Sequence, residues 1–356
     1  NGIESTRYLA VDESRMLADP ARYYKGGKPD LQLFDKKLYE VNPDDKVAIA
    51  RAAAEEVLGK DERIISVDSS YSDGEGSSYR LISNGFEGES KSTWFSVSAS
   101  VSIKGEGEAR PQDYWYDSAL FYDKLTKTGI GAKALERVLR KLGQKKAKSG
   151  KYTMVVDPMN VGNLLSPMLS ALYGSALQQK NSFLMDKLDT KVASDLFTLR
   201  DEPHAIGANG SRYFDNEGVA TEPRTVFDKG VLKTYFIDTY NGKKMDIAPT
   251  ISAPSRLILT PGDKDLNGLV ADIKQGILVT GFNGGNSNSS TGDFSYGIEG
   301  FLIEDGKLTQ PVNEMNVTGN MVTLWNSLVA VGNDPQPNRS WQIPSLVFEG
   351  VDFSGL

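Results

Sequence analysis

The spacing of hydrophobic residues changes period several times along the chain, and each change predicts an element. After Asn42-Pro43, Val47, Ala50, Ala54, Val57 and Leu58 recur at helical spacing until Gly59, which predicts a helix lying on a sheet. Three strands are expected beside it: Arg63 to Val67, Ser78 to Ser83, and the stretch Trp94 to Ile103. In the last of these Ser alternates with Phe95, Val97, Ala99, Val101 and Ile103, the mark of a strand with one wet face. A second helix is predicted at about residues 117–142, with Leu135, Val138, Leu139 and Leu142 on one side and a stop at Gly143. Helix, antiparallel strands and helix together form a compact layer unit.

The basic, glycine-bounded stretch Gly143 to Gly150 reads as a flexible domain boundary. A strand at Tyr152 to Val156 follows, and Asp157-Pro158 is a helix start. Val161, Leu164, Leu165, Met168, Leu169 and Leu172 then make a continuous apolar stripe, so this helix is expected to be the best buried, kinked or ended at Pro167. Beyond residue 190 the pattern turns to strands and tight turns. Hairpins are predicted around Asp228-Lys229-Gly230 and around Asp305-Gly306, with a helix over Leu266 to Gln275. The fold class is therefore α+β: an N-terminal α/β layer unit, then a larger, mainly antiparallel β domain with a few buried helices. The expected division is residues 1–42 as the remnant of a domain and a connector, 43–148 as a central α+β domain, and 149–356 as the β-rich C-terminal domain. The chain opens Asn1-Gly2-Ile3-Glu4-Ser5-Thr6 without Met, in what reads as the middle of an element, so an incomplete N-terminus is expected.

Composition narrows the chemistry chiefly through absences. There is no Cys and only one His, His204, so disulfides, thiolate nucleophiles, Cys-ligated zinc and any site needing two imidazoles are excluded. His204 lies in Asp201-Glu202-Pro203-His204-Ala205, a turn-like acidic stretch that reads as a loop without chemistry. The net charge is −7 and the basic residues are scattered, so the chain lacks the concentrated positive face that nucleic-acid binding needs. No run of eighteen apolar residues and no signal segment is visible, which makes the cytoplasm the expected address. Ordinary carboxylate pairs such as Asp186 and Asp189 leave a paired-carboxylate hydrolase open.

Two Gly-, Ser- and Asn-dense segments are candidate contact sites for substrate or partner. Gly281 to Gly297 reads as a loop too long for a hairpin turn; it supplies Asn283, Asn286, Asn288, Ser289, Ser290, Asp293 and Ser295 as hydroxyl, amide and carboxylate groups. Its composition suits a ligand groove and a solvent loop equally. Val331 to Pro335, with Asn333, is the second segment and reads mainly as a turn.

Many motifs in one order then become recognisable. Gly292 to Lys307, Pro311 to Met321, Val331-Gly332-Asn333-Asp334 and Pro344 to Phe348 resemble the C-terminal signature of the PmbA/TldE family. Lys180 to Leu184, Phe214 to Val219 and Thr221 to Arg224 fit it upstream, so the resemblance covers residues 43–356, and Thr6 to Ala10 also fits. In the TldD type of this superfamily, a His-Glu-x-x-x-His helix and a distant Cys hold zinc, and the Glu activates the metal-bound water. An ungapped alignment anchored at Ser182 and Val192-Ala193-Ser194-Asp195 puts Leu165, Ser166 and Ser170 where the two His and the Glu would stand. None can replace those groups, and one His with no Cys cannot supply the site in any register. The resemblance thus implies a chain with no catalytic residue and no metal of its own, paired with a zinc-bearing TldD-like paralogue and acting on extended or unfolded peptides. Pairing with itself in isolation stays open. The rival readings are an independent carboxylate-based hydrolase and an interaction protein acting on DNA gyrase or an antitoxin without proteolysis.

Overall fold

The computed structural model describes residues 4, 6–8 and 10–356, so the reading of Asn1 to Thr6 as part of an element falls mostly outside the described residues. The first helix, α1 (Pro43–Glu55), starts where expected. The Asn42 side chain accepts from the Asp45 N–H at 2.9 Å, Pro43 occupies the first turn, and Asp44 and Asp45 face the positive helix end. Its buried face differs from the expected one: Ala53 and Val57 are fully buried, whereas Val47 and Leu58 are 56% and 58% exposed. Apolar residues run nearly all round this helix, so the sequence does not fix its phase. A close approach does: a Cβ on Gly131 would lie 1.9 Å from the Ala53 carbonyl oxygen, so only glycine lets helix α2 (Ile130–Leu139) sit there. The Glu56 carboxylate then accepts from the N–H groups of Gly129 and Gly131, at 2.6 and 2.8 Å, and caps α2, which has no side-chain cap of its own.

These helices cover an antiparallel sheet in the order β1 (Ile64–Ile82), β2 (Phe86–Ile103), β3 (Gln112–Ala119). The two short strands expected at Arg63 to Val67 and Ser78 to Ser83 are one. The polar segment between them continues the ladder with β2, pairing Tyr71 with Val97 and Gly74 with Trp94. The alternation expected over Trp94 to Ile103 holds, and Phe95, Val97, Ala99, Val101 and Ile103 are buried against Ala134, Leu135 and Val138. The expected helix at 117–142 is too long. Residues up to Ala119 belong to β3, paired to β2 through Trp115 and Ala99, and a 3₁₀ turn at Tyr122–Lys124 precedes α2.

The larger unit is built on a sheet in the order β11-β10-β9-β4-β14-β12, with β4 (Gly150–Val156), β9 (Gln275–Ser287), β10 (Asp293–Glu304), β11 (Lys307–Asn320), β12 (Leu328–Val331) and β14 (Leu346–Ser354). β14 also pairs with β11, which closes the sheet on itself. Within this sheet, among the described residues, only the β4–β9 pairing is parallel, so the mainly antiparallel expectation holds. Helix α3 (Gly162–Ser170) starts about one turn later than the expected Asp157-Pro158, which precede it in a turn; Leu164, Leu165, Met168 and Leu169 pack into the main core, as do Val161 and Leu172 just outside the helix. It runs through Pro167 and ends at Ser170, and a short α4 (Gly174–Gln178) follows. A smaller sheet, β13-β8-β5-β6-β7, joins the same core: β5 (Leu199–Asp201), β6 (Arg224–Asp228), β7 (Val231–Leu232), β8 (Leu257–Leu259) and β13 (Trp341–Gln342). Helix α5 (Thr239–Met245) follows β7. The β6–β7 and β10–β11 hairpins close on Lys229-Gly230 and Asp305-Gly306, as expected.

Three expectations change here. Helix α6 (Leu266–Ala271) is shorter than Leu266 to Gln275, because Gln275 already pairs with Glu304 as the first residue of β9. The stretch Gly143 to Gly150 is no free linker: the Lys145 N–H donates to the Pro311 carbonyl at 3.1 Å, and Ala147 is buried. Gly281 to Gly297 is no long loop but the distal part of the β9–β10 hairpin, with Asn286 opposite Ser295 and only residues 288–292 in the turn. Its glycines misled the reading. Gly285, at φ 99°, lies where a Cβ would stand 2.1 Å from the Ser295 carbonyl oxygen, so it is needed by an irregular strand pair and not by a loop. Helix α7 (Met321–Asn326) follows β11 and buries Trp325. Among the described residues no helix is long and apolar enough to cross a membrane.

Candidate functional site

The hairpin divides its candidate residues into two groups. Asn288 holds the turn, its side-chain oxygen accepting from the Ser290 and Thr291 N–H groups at 2.9 and 3.3 Å. The Ser289 and Ser290 hydroxyls both donate to the Asn181 side-chain oxygen, and the Phe183 N–H donates to the Ser289 carbonyl at 2.9 Å. Asp293 accepts from Asn320 Nδ2 at 3.0 Å and the Thr291 hydroxyl at 2.7 Å, and these bonds hold its carboxyl below the usual range. The second group, Asn283, Asn286 and Ser295, is exposed, and among the described residues these side chains have no hydrogen-bond partner. Asn333 stands apart from the hairpin, its amide donating to the Asp263 carbonyl at 2.9 Å, and serves the turn beside residues 263–264.

On α3, Leu165 is fully buried in the core, while Ser166 and Ser170 lie on the exposed face. His204 is engaged elsewhere. Its Nε2 lies 3.0 Å from the Thr221 hydroxyl, which gives its single proton to the Arg212 carbonyl, so Nε2 carries a proton and donates. Burial, then the nearby Lys28, lowers the His204 pKa, and the ring lies 5.0 Å from that of Tyr213.

A second polar region, of whose lining only Asn283 was among the sequence candidates, lies between the layer unit and the closed sheet. Lys141, just beyond α2, donates to Glu299 Oε1 at 2.7 Å and the Gln112 carbonyl at 3.0 Å, and its ammonium forms an ion pair with Asp113 Oδ2 at 3.2 Å. Arg137 Nε donates to the other Asp113 oxygen at 3.2 Å, and the guanidinium lies 5.5 Å from the centre of the Trp115 ring. Asp157 stands nearby, 4% exposed, accepting from the Asn160 N–H at 3.0 Å and side-chain amide at 2.7 Å. Burial pushes its carboxyl pKa up, against the pull of Asn160 and Arg137. These groups line two adjoining cavities of about 370 and 600 Å³, which share Arg137, Met159 and Thr280. One signal was available in the sequence: Lys133, Arg137 and Lys141 recur every fourth residue, a basic stripe beside the apolar face of α2.

Comparison with known proteins gives this architecture its place. Residues 149–355 match the model of the PmbA/TldA metallopeptidase C-terminal domain, and residues 36–142 match that of the central domain. The chain belongs to the PmbA/TldD metallopeptidase family. Among its relatives, the metalloprotease PmbA homolog of Haemophilus influenzae is 29% identical over 98% of this chain and 78% of its own length. A crystal structure from Bacteroides thetaiotaomicron, provisionally named a modulator of DNA gyrase, is 74% identical with a TM-score of 0.99, covering 100% of this chain and 81% of that one. TldE from Thermococcus kodakarensis shares the fold, with a TM-score of 0.80 at 22% identity over 99% of this chain and 82% of that one.

A PmbA/TldD metallopeptidase domain implies zinc, and the residues here do not fit it. Leu165 offers no donor atom, Ser166 and Ser170 are neutral hydroxyls, and the single imidazole has its Nε2 committed as a donor. No cluster of three His, Cys, Asp or Glu side chains with metal-holding geometry occurs among the described residues. No chemical step is therefore derived through a metal on this chain.

Proposed function

We propose that this chain is the metal-free subunit of a two-chain peptide-cleaving metalloprotease, paired with a zinc-bearing TldD-like paralogue. The observation that carries the reading is the donor set. A metallopeptidase-family fold is kept, while the helix aligned with the zinc motif turns Leu165 into the core and presents only Ser166 and Ser170 outward. A chain of this kind contributes surface instead of chemistry. The exposed side chains Asn283, Asn286 and Ser295 on the β9–β10 hairpin supply amides and a hydroxyl to an extended peptide or to the paralogue. Such contacts place few demands on side-chain sequence, which suits substrates that are unfolded segments of varied composition.

The test is reconstitution. This chain, a zinc-bearing paralogue from the same cell and their mixture are each assayed for cleavage of an unfolded peptide. Cleavage by the mixture above that of the paralogue, and none by this chain, is expected. Cleavage by this chain alone, or a mixture no more active than the paralogue, contradicts the reading; the second outcome favours an interaction protein without proteolytic duty.

A further inference from the structure

The α2 face that lines the cleft holds an arginine whose capacity is mostly unspent. The Arg137 side chain is only 14% exposed, and one of its five N–H groups is used, by Asp113. Nη1 and Nη2 have no acceptor among the described residues, and Arg137 lines both cavities. Neither nitrogen is among the fully buried atoms that lack a partner, so both reach the open space of the cleft, where an incoming acceptor can meet them. We propose that the cleft is a carboxylate-binding site in which the free fork of Arg137 receives the carboxylate of an extended peptide. The peptide as ligand rests on the function proposed above; the carboxylate chemistry does not.

Three features select that ligand. Two parallel N–H···O bonds from a planar guanidinium match a planar carboxylate, and Asp113 and Trp115 hold the plane in position. The charge balance favours a monoanion over a phosphate. The acidic and basic side chains lining the two cavities are equal in number, and several acids are committed: Asp265 caps α6 through the Gly268 N–H, and Asp334 binds Ser345 and the Leu266 N–H. Lys133 from α2 and Arg140 just beyond its end also line the larger cavity, with Lys307 from the start of β11. The cavity volumes, about 370 and 600 Å³, suit the end of a peptide and a few neighbouring residues.

The carboxylate has two sources, a peptide C-terminus or an Asp or Glu side chain, and the experiment separates them. Tryptophan fluorescence of the full chain is titrated with an N-acetylated tripeptide, its C-terminal amide, and amides carrying an internal Asp or Asn. The variant Trp115→Phe assigns the signal to the cleft. An acid bound at least about tenfold more tightly than its uncharged counterpart is expected, and the pair that shows it identifies the source. Arg137→Lys keeps the charge beside Asp113 but removes the fork. It should fold with an unchanged circular dichroism spectrum and lose the discrimination. Equal binding of acid and amide in both pairs, undiminished discrimination in Arg137→Lys, or no binding by any carboxylate overturns the site. N-acetylglycine and inorganic phosphate are further probes. Binding of N-acetylglycine without binding of peptides keeps the site and removes the peptide; peptides bound with no preference for an acid do the reverse. Phosphate bound more tightly than any carboxylate overturns the ligand assignment.

Discussion

The hairpin turn and the cleft are both polar, yet they use polarity in opposite ways. Residues 288–293 are dense in Asn, Ser and Asp, but nearly every hydrogen-bonding side chain there is spent on the turn itself or on Asn181 and Asn320. The cleft draws its polar side chains from separate elements, and one of them, Arg137, keeps most of its donors free with its side chain 14% exposed. Polar density along the chain therefore marks a segment that must build its own turn, whereas an unspent donor held at a cavity wall marks a place open to a partner.

The largest difference between the two regions should appear on removing Lys141. Lys141→Met leaves Asp113 and Glu299, 6% and 16% exposed at their side chains, without that cation. A loss of about 3–5 kcal/mol is expected in urea unfolding. A loss under about 1 kcal/mol would make the cleft no more costly to disturb than the turn.

The two aspartates should respond to pH with opposite sign. Burial raises the Asp157 pKa above its unfolded value, so its contribution is fully present below the unfolded pKa and is lost as pH rises through the folded one. Asp157→Asn should therefore become more stable relative to the parent as pH rises through that window. Hydrogen bonds from Asn320 and Thr291 lower the Asp293 pKa, so its contribution is present above the unfolded pKa and is lost as pH falls through the folded one. Asp293→Asn should lose ground at neutral pH and recover it in acid. Parallel pH profiles for the two variants would contradict the assignment of burial to one and hydrogen bonding to the other.

Within the hairpin itself the effects should be smaller. Asn288→Ala removes the acceptor for two turn N–H groups and should cost about 1 kcal/mol. Asn286→Ala, on the exposed face, should stay within about 0.5 kcal/mol of the parent. If thermal denaturation reverses that order, the division between turn-holding and free side chains is wrong.

What was legible in the sequence follows the same physical line. The burial of the α3 stripe, the alternation over Trp94 to Ile103 and the two tight hairpins each carry a period or turn chemistry set by local geometry and stand as expected, although α3 starts at Gly162 and not at Asp157-Pro158. The phase of α1 was not legible, because the close contact between Gly131 and Ala53 is made across distant parts of the chain. The same holds for the distal β9–β10 pairing, in which glycines fit an irregular ladder. Of the candidate site, the three free hairpin side chains were in view, but the cluster of Asp113, Arg137, Lys141 and Glu299 unites residues from separate elements. Only the basic stripe on α2 hinted at it.

The most direct test of the account is zinc stoichiometry, measured by elemental analysis after the purified chain is equilibrated with zinc and dialysed. The donor set predicts far less than one zinc per chain and no peptide cleavage, with or without chelator. One tightly held zinc per chain, with peptide cleavage that chelation abolishes, would contradict it.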